Sequence, residues 1–264
     1  MDKLYIIKIG GNIIDNETKL DSFLSDFSSV EGKKILVHGG GKLATRLAGQ
    51  MGVQQQLVDG RRITDAETLK IVTMVYAGEI NKNIVASLQS KNCNALGLTG
   101  ADGNVILAHK RRHASMDYGF VGDVDAVNSA LVTQLLQLGL ALVFAPLTHD
   151  RQGQLLNTNA DTIAQELARG LSDSFDVELI YSFEKKGVLL DANDDDTVIP
   201  RISPAYYQEL KSEKKIFEGM IPKMDNAFTA LNSGVRKVII GNAEELPALV
   251  QGMAGTTISL EENR

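Results

Sequence analysis

Short apolar runs alternate with amphipathic stretches along almost the whole chain. The runs at residues 4–9, 34–38 and 141–145 are nearly continuous in apolar side chains, which is typical of strands buried on both faces of a parallel sheet. Helical periodicity separates these runs, at residues 18–29, 42–51, 65–91, 129–138 and 160–168. Strands that alternate with helices from the first residues predict βαβ units, and therefore an α/β fold with a mostly parallel sheet.

Turn signals divide the pattern further. Asp59-Gly60 predicts a β-hairpin, residues 110–125 favour an irregular excursion, and Gly170 is placed to close the preceding helix as its C′ residue. Beyond it the pattern partly restarts, with strands predicted at residues 177–181, 188–190, 235–240 and 257–260. We therefore expect two lobes on one sheet, residues 1–172 and 173–264.

The composition is that of an ordinary globular protein, since 44% of the 264 residues are hydrophobic and 23% are charged. The net charge of -6 includes no basic block, so a nucleic-acid partner is not expected. No apolar stretch approaches the roughly 20 residues that cross a bilayer, and the chain opens on a strand without a targeting segment. Together with a single cysteine, Cys93, these features favour a cytoplasmic protein.

Lys8 is the cation inside the first apolar run, shortly before Gly10 and Gly11. A lysine in a buried strand needs a negative partner, because an unpaired ammonium group loses its hydration there. Glycines beyond a strand end allow backbone amides to approach a phosphate, so an anion site is one interpretation. The alternative is a lysine that reaches solvent from the end of the strand.

A second glycine cluster, Gly39-Gly40-Gly41, follows the second predicted strand and precedes a helix, whose free N–H groups attract anions. Neither cluster matches the phosphate-binding patterns G-x-x-x-x-G-K-[ST] or G-x-G-x-x-G. His38, beside the second cluster, is interpreted as a core histidine rather than a catalytic base. Cys93 is interpreted as a small buried hydrophobe.

Further polar side chains are candidates for a site. Asn159 caps the helix that follows it and Asp161 complements the helix dipole, which leaves Asn157 without a local role. Lys223 lies in the first turn of a predicted helix, where its charge is unfavourable beside the positive end of the helix dipole unless both bind one anion. A solvated lysine is the alternative. Arg62 is able to bind a carboxylate through its planar fork, or lies on the surface.

Two lysines, two glycine-rich strand ends and one aspartate suggest phosphoryl transfer, in which the enzyme positions its substrates and neutralises charge on the phosphoryl oxygens. A carboxylate acceptor has a pKa of about 4, is ionised at neutral pH and needs no general base. No histidine or cysteine arrangement in the sequence predicts nucleophilic catalysis. The run Asp194-Asp195-Asp196 is interpreted as a solvated loop, so no metal site is predicted.

The chain resembles the acetylglutamate kinases of the amino-acid kinase superfamily, enzymes of arginine biosynthesis. The resemblance spans nearly the whole length and rests on the ordered strings "IIKIGG", "VHGGGK", "DGRRIT", "GFVGDV", "NTNADTIA", "GMIPKMDNAFTALNSGV" and "AEELPALVQGMAGTTI". It implies a three-layer αβα sandwich, with an N-terminal lobe for the acylated amino acid and a C-terminal lobe for MgATP. The implied reaction transfers the γ-phosphoryl group of ATP to the γ-carboxylate of N-acetyl-L-glutamate.

The same resemblance implies roles for individual residues. Lys8 and Lys223 are similar to the lysines that stabilise the transferring phosphoryl group, and Asp161 to the aspartate that organises them. The implied substrate-binding residues are Gly40, Gly41, Arg62 and Asn157, and the implied nucleotide-binding residues are Gly10, Gly11, Ser182, Phe217 and Met220. The implied cofactors are ATP and the Mg²⁺ that the nucleotide carries.

The resemblance also implies an oligomeric state. Relatives inhibited by arginine carry an extra N-terminal helix that assembles hexamers, whereas this chain begins at its first strand. We therefore expect an arginine-insensitive homodimer, paired through the long helix after Asp65. The expected small-molecule partners are N-acylglutamate and ATP, with no nucleic acid and no membrane.

The chain departs from the family's pattern in two places. Residues 181–188 read "YSFEKKGV" where relatives show "SDV-x-G", so an aspartate is absent and the nucleotide contacts there stay open. The basic segment Lys110-Arg111-Arg112-His113 either faces the acyl pocket and accepts a longer, charged acyl group such as succinyl, or is solvated surface. The alternatives are an N-succinylglutamate kinase, another small-molecule kinase of this fold, and a non-catalytic sensor or binding subunit.

Overall fold

The computed structural model describes residues 1–58, 61–191, 193–213, 215–216 and 220–261. Its helices and strands in chain order are β1 (Lys3–Ile9), α1 (Gly11–Ile14), α2 (Glu17–Ser29), β2 (Lys33–His38), α3 (Gly41–Gln50), β3 (Leu57–Val58), β4 (Arg61–Arg62), α4 (Ala66–Val72), a π-helical segment (Thr73–Ile80), α5 (Asn81–Ser90), β5 (Ala95–Leu98), β6 (Ile106–Lys110), β7 (Gly122–Val127), α6 (Ser129–Gln137), β8 (Ala141–Phe144), β9 (Leu147–His149), β10 (Leu155–Asn157), α7 (Ala160–Leu171), β11 (Asp176–Phe183), β12 (Arg201–Ile202), α8 (Pro204–Ser212), α9 (Ile221–Asn232), β13 (Lys237–Asn242), α10 (Leu246–Gln251) and β14 (Thr256–Ile258).

The main sheet has eight strands in the order β12-β14-β13-β11-β1-β2-β8-β5. The six strands from β13 to β5 run parallel, while β14 pairs antiparallel with β13 and parallel with β12. The chain leaves β1 towards β2 and later returns on the other side of β1 as β11. The carboxyl ends of these three strands therefore border a topological switch point, where ligands of open α/β sheets bind.

The two faces of the sheet carry separate apolar clusters, because successive side chains of a strand point to opposite sides. Leu4 and Ile6 of β1 pack in the cluster that includes residues of α6, α7 and α9. Tyr5, Ile7 and Ile9 pack in the cluster that includes residues of α2, α3 and α5. This arrangement confirms the predicted three-layer αβα sandwich with a mostly parallel sheet. Lys8 follows the register of Leu4 and Ile6 and shares their face.

A second sheet of four strands, in the order β10-β9-β6-β7, places further residues near the switch point. Asn157 ends β10 and bridges to Val121, while Thr64 bridges to Gly119. The hairpin strands β3 and β4 pair antiparallel on either side of the predicted Asp59-Gly60 turn, and that turn lies outside the described residues. Arg62, in β4, is thereby held beside Gly41, the first residue of α3.

Several predicted elements were wrong. Gly170 does not end its helix, because α7 continues to Leu171, and a Cβ at Gly170 would lie 3.1 Å from Val127, so the glycine makes room for β7. Residues 188–190 form only an isolated bridge, Leu189 to Val198, instead of a strand. The excursion predicted at residues 110–125 ends in β7. Strands β9 and β10 were missed because three residues carry too little periodicity to register.

The long helix expected at residues 65–91 is present but not uniform. It consists of α4, the π-helical segment and α5 in direct succession. A π-helical stretch widens the spacing of side chains and often marks a functional site. Here it directs Tyr76 and Ile80 against Gly40. Within the described ranges, every helix is too short or too polar to span a bilayer.

His38 ends β2 inside the core and is completely buried. Its Nδ1 donates to the carbonyl oxygen of Gly39 at 2.8 Å, and its Nε2 accepts a hydrogen bond from Asn81 at 3.2 Å. Burial lowers the pKa of His38 to about 4. The interpretation of His38 as a core histidine is confirmed, since both ring nitrogens are occupied within the protein.

Protonation of His38 is expected to destabilise the protein at acid pH. The unfolded chain binds this proton with a pKa of about 6.5, whereas the folded chain binds it only near pH 4, so the stabilisation is complete above pH 6.5 and is lost as the pH falls. Between pH ~7.5 and ~5 the unfolding free energy of the wild-type protein should therefore fall by about 2 kcal/mol more than that of His38→Gln. Urea unfolding at both pH values measures this difference.

The exposed His113 offers the matched control. His113→Gln is expected to keep the pH dependence of the wild-type protein. If wild type and His38→Gln lost the same free energy over this pH range, the account of His38 would be wrong.

Candidate active site

Lys8 and Asp161 form an ion pair at the carboxyl end of the central strand. Asp161 lies in the first turn of α7, whose N-cap Asn159 accepts hydrogen bonds from the backbone N–H groups of Asp161 and Thr162. The Nζ of Lys8 lies 2.8 Å from Oδ1 of Asp161. Lys8 is only 9% exposed, so Asp161 is the negative partner that its burial requires. The Asn159 cap is confirmed as predicted.

Lys223 approaches the same point from the first turn of α9, which begins at Ile221, so its predicted position in a first helical turn is confirmed. Burial lowers the pKa of Lys223, the carboxylate of Asp161 opposes this change, and the neighbouring ammonium of Lys8 adds to it. The Nζ of Lys223 lies 3.8 Å from the ring centroid of Phe183, and the Nζ of Lys8 lies 5.4 Å from the same centroid. The two ammonium groups therefore converge on one aromatic ring beside one carboxylate.

The register of β11 against β1 sets this geometry. Tyr181 pairs with Lys8 across the two strands, and Phe183 lies two residues further along, on the same face. The two aromatic rings stack with centroids 6.2 Å apart and an interplanar angle of 12°. The hydroxyl of Tyr181 donates to the carbonyl oxygen of Asp161 at 3.4 Å. A slip of one residue would move both rings to the opposite face of the sheet.

The two glycine turns differ in what they require. Gly40 has a φ of +148°, and a Cβ there would lie 2.3 Å from Ile80 and 3.0 Å from Tyr76, so only glycine fits. A Cβ at Gly10, Gly11 or Gly41 would make only ordinary contacts with the described protein. In the described part of the chain no side chain caps α3, so its first N–H groups stay available to an anion.

Two cavities meet at this point. The Arg62 cavity, of about 630 Å³, is lined by Gly39, Gly40, Gly41, Lys42, Thr45, Arg46, Leu57, Arg62, Tyr76, Arg111, Val121, Pro146, Asn157, Thr158, Asn159 and Ala160. The Lys223 cavity, of about 480 Å³, is lined by Gly10, Gly11, Asn12, Ile13, Gly41, Lys42, Ser182, Phe183, Glu184, Lys185, Gly187, Met220 and Lys223. Gly41 and Lys42 belong to both cavities, so two ligands would meet near the start of α3.

The Arg62 cavity collects all four predicted substrate-binding residues. Arg62 donates through Nη2 to the carbonyl oxygen of Gly41 at 2.9 Å and to Thr45 at 2.8 Å, and through Nη1 to Gln55. Asn157 donates to the hydroxyl of Thr64 at 3.0 Å. Among the described residues, no carboxylate lies within ion-pair distance of Arg62. Its guanidinium charge is therefore offered to the cavity.

The Lys223 cavity collects the predicted nucleotide-binding residues Gly10, Gly11, Ser182 and Met220, while Phe217 lies outside the described residues. The hydroxyl of Ser182 is fully buried and has no hydrogen-bond partner in the described part of the chain. A buried hydroxyl without a partner is costly, so this group is suited to a ligand that enters the cavity.

Sequence reasoning missed several residues of the site. Tyr76 and Lys42 line the cavities, and Phe183 contacts both lysines. Of these three residues, only Lys42 could have been identified from the sequence, since it directly follows the second glycine cluster. Tyr76 reaches the site through the π-helical segment, which apolar periodicity does not predict. Phe183 lies in the segment that departs from the family's pattern.

The basic segment at residues 110–113 divides between two environments. Arg111 lines the Arg62 cavity and pairs with Asp123, its Nη2 2.5 Å and its Nε 3.0 Å from Oδ1 of the carboxylate. Arg112 and His113 are exposed, and together with Lys110 and Arg111 they line a second, surface cavity. One residue of the four thus faces the predicted acyl pocket, and its charge is already paired.

Comparisons with known proteins identify the family of this chain. Residues 3–242 match the amino acid kinase family. An acetylglutamate kinase of Cytophaga hutchinsonii is 60% identical over 251 residues, which cover 95% of this chain and 95% of that protein. One of Bacteroides fragilis is 58% identical over 239 residues, or 90% of this chain and 92% of that protein.

Solved structures share the fold. The crystal structure of smu.665 from Streptococcus mutans UA159 has a TM-score of 0.78 at 26% identity and covers 98% of this chain and 99% of that one. An N-acetylglutamate synthase from Neisseria gonorrhoeae, complexed with coenzyme A and N-acetyl-glutamate, has a TM-score of 0.82 at 22% identity, over 99% of this chain and 60% of that one. On the family match and the curated relatives together, the chain belongs to the amino acid kinase family and, within it, to the acetylglutamate kinases.

Proposed function

We propose that this chain transfers the γ-phosphoryl group of ATP to the γ-carboxylate of N-acetyl-L-glutamate, in the Arg62 and Lys223 cavities. The observation that carries the assignment of the site is the convergence of Lys8, Asp161 and Lys223. Lys223 lines one cavity, and Asn159 and Ala160, which directly precede Asp161, line the other. ATP lies in the Lys223 cavity and the acylated amino acid in the Arg62 cavity. Residues 1–172 then hold the amino acid, and residues 173–264 hold the nucleotide together with the two glycine turns of the first lobe.

The charge of the Arg62 cavity supports an acylated substrate. Its described lining includes the cations Lys42, Arg46, Arg62 and Arg111 and no acidic residue. Such a lining attracts carboxylates, and it repels the ammonium group of a free amino acid. Acylation removes that positive charge. Arg62 binds the α-carboxylate together with Asn157, since no acidic side chain among the described residues neutralises its guanidinium.

The Lys223 cavity fits a polyphosphate. Gly10 and Gly11 leave space where a Cβ would otherwise stand, Ser182 offers an unpaired hydroxyl, and Lys223 supplies a desolvated ammonium group. Each of these features gains a partner when an anion binds. No group of three or more metal-binding side chains lies among the described residues. We propose that Mg²⁺ arrives with the nucleotide.

The reaction follows from these positions. An oxygen of the γ-carboxylate attacks the γ-phosphorus of ATP and forms a new O–P bond. The bond from that phosphorus to the bridging oxygen breaks, and its electron pair leaves with ADP. Lys8 and Lys223 neutralise the charge of the transferring oxygens, while Asp161 holds Lys8 in place. No proton moves, because the acceptor carboxylate is already ionised.

A second candidate substrate is N-succinylglutamate, and Arg111 is the observation that favours it. Its guanidinium lines the Arg62 cavity and would meet the extra carboxylate of a succinyl group. Arg111 already donates to Asp123 through two of its nitrogens, so the succinyl carboxylate would have to share Arg111 with Asp123. N-acetylglutamate is therefore the first candidate.

Trapping the acyl phosphate with hydroxylamine tests the proposed function. With ATP and Mg²⁺ we expect hydroxamate from N-acetylglutamate and none from free glutamate, because the cavity repels its ammonium group. Comparing kcat/KM for the acetyl and succinyl compounds decides between the two acyl groups. Ligand binding without any hydroxamate would contradict the proposal and favour a sensor protein of the same fold.

Removing either lysine is expected to slow the chemical step. Lys8→Met or Lys223→Met should lower kcat by about 10²-fold or more, the usual cost of one electrostatic contact in a transition state. The KM for N-acetylglutamate should change little, because the contact forms mainly in the transition state. Lys33→Met is the control, since Lys33 pairs with Asp2 at the amino end of the sheet, opposite the site. A lysine variant with wild-type kcat would remove that lysine from the mechanism.

We further propose a homodimer that pairs through the helical unit at residues 66–90. Met74 of the π-helical segment is 50% exposed. A protein interface on this unit would cover that apolar side chain. In light scattering, Met74→Lys should yield monomers, whereas Met253→Lys, on another exposed surface, should stay dimeric. A monomeric or hexameric wild type would contradict this.

A further inference from the structure

Phe183 lies beside two lysine ammonium groups, where a carboxylate would be the expected neighbour. Its ring lies 3.8 Å from the Nζ of Lys223 and 5.4 Å from that of Lys8, measured to the ring centroid. Both distances lie within the range in which an aromatic face attracts a cation. Two ammonium groups that approach one phosphoryl group repel each other, and Asp161 is paired mainly with Lys8. Phe183 is thus the close neighbour that stabilises the ammonium of Lys223.

An aromatic face differs from a carboxylate in a way that matters here. A carboxylate beside Lys223 would accept its N–H groups in hydrogen bonds and would repel a phosphate. The face of a ring attracts the cation through its quadrupole, and it carries no lone pairs that would accept the N–H groups in hydrogen bonds. The N–H donors of Lys223 consequently stay available for an anion in the Lys223 cavity.

The ring is itself held in place. Tyr181 stacks against Phe183 from two residues earlier on β11, and its hydroxyl reaches the carbonyl oxygen of Asp161. β11 pairs with β1 from Asp176 to Ser182 and Phe183 is the next residue, so the position of Phe183 follows from the same register that places Lys8. The ring, the carboxylate and both lysines therefore form one fixed group.

We propose that Phe183 is a positioning residue for phosphoryl transfer, which holds Lys223 charged and aimed at the phosphoryl group through the face of its ring. The proposal deepens the proposed function and rests on it. Among the described residues, the charged groups that face Lys223 are Lys8 from β1 and Asp161 from α7, with Lys42 from α3 and Glu184 and Lys185 from the segment after β11 around the same cavity. None of these takes the place of the ring.

Fluorination of the ring provides a direct test, because it withdraws electrons from the face and barely changes the shape. We would incorporate mono-, di- and trifluorophenylalanine at position 183 and measure kcat across pH. A weaker aromatic face disfavours the charged lysine, so each fluorine should lower kcat and move the alkaline limb of the profile to lower pH. For the trifluoro ring we expect roughly a three- to tenfold loss in kcat and a shift of about half a pH unit.

Two site-directed variants extend the series. Phe183→Leu keeps apolar bulk without a ring and should show the largest loss in kcat, while Phe183→Tyr should restore it to within about twofold of wild type. The matched control is the same fluorinated series at Phe144, a fully buried ring of β8 in the core. It is expected to leave kcat and the pH profile unchanged.

A second readout separates this proposal from the proposed function. NMR titration of ¹³C-labelled lysines, with Lys223 assigned by loss of its signal in Lys223→Arg, reports the pKa of Lys223 without turnover. If wild type formed no hydroxamate, the proposed function would fail, and the titration would still test the ring. A pKa of Lys223 that does not fall with fluorination, or an equal loss of kcat in the Phe144 series, would overturn the role of Phe183.

Discussion

The site depends on one ion pair at the end of the central strand. Lys8 and Asp161 lie 2.8 Å apart, with 11% and 33% of their side chains exposed. Breaking a fully buried pair typically costs about 3–5 kcal/mol, yet apolar residues in place of both partners are often neutral or stabilising. Because Asp161 keeps contact with water, the Lys8–Asp161 pair costs less to break than a fully buried pair. Stability alone therefore does not explain a lysine in this strand, whereas an anion that arrives beside it does.

The other features follow from where that pair lies. Parallel pairing of β1 with β2 and β11 brings the two glycine turns and Ser182 to the same edge of the sheet. The helix dipole and cap of α7 fix Asp161, and α9 adds Lys223 from the other side of β11. Cations dominate both cavities, so the two anionic substrates supply the charge that the protein itself lacks. Bringing a phosphoryl donor and a carboxylate acceptor together is the task such a site can perform.

Much of this organisation could be predicted from the sequence. Apolar runs around Lys8 and the glycine clusters predicted the sheet, its layers and the strand ends, because burial on both faces leaves a strong signal. The sequence strings also led to Arg62 and Asn157, which the structure places in one cavity. The roles of the individual site residues stay predictions, since placement is not function.

The remainder depended on tertiary contacts that leave little trace in sequence. Gly170 was taken as a helix end, but it is a point of close approach to Val127 inside α7. Tyr76 reaches its cavity because a π-helical segment interrupts an otherwise regular pattern. Phe183 is apolar in a strand and would be assigned to the core from periodicity, although its face meets two ammonium groups.

The most direct test of the central claim is a crystal structure with ADP, Mg²⁺, aluminium fluoride and N-acetylglutamate, a mimic of the transferring phosphoryl group between its donor and its acceptor. The account predicts that the Nζ atoms of Lys8 and Lys223 both lie about 3 Å from the fluorides, with Asp161 still bound to Lys8. An aluminium fluoride bound elsewhere, or either ammonium group turned away from it, would contradict the account.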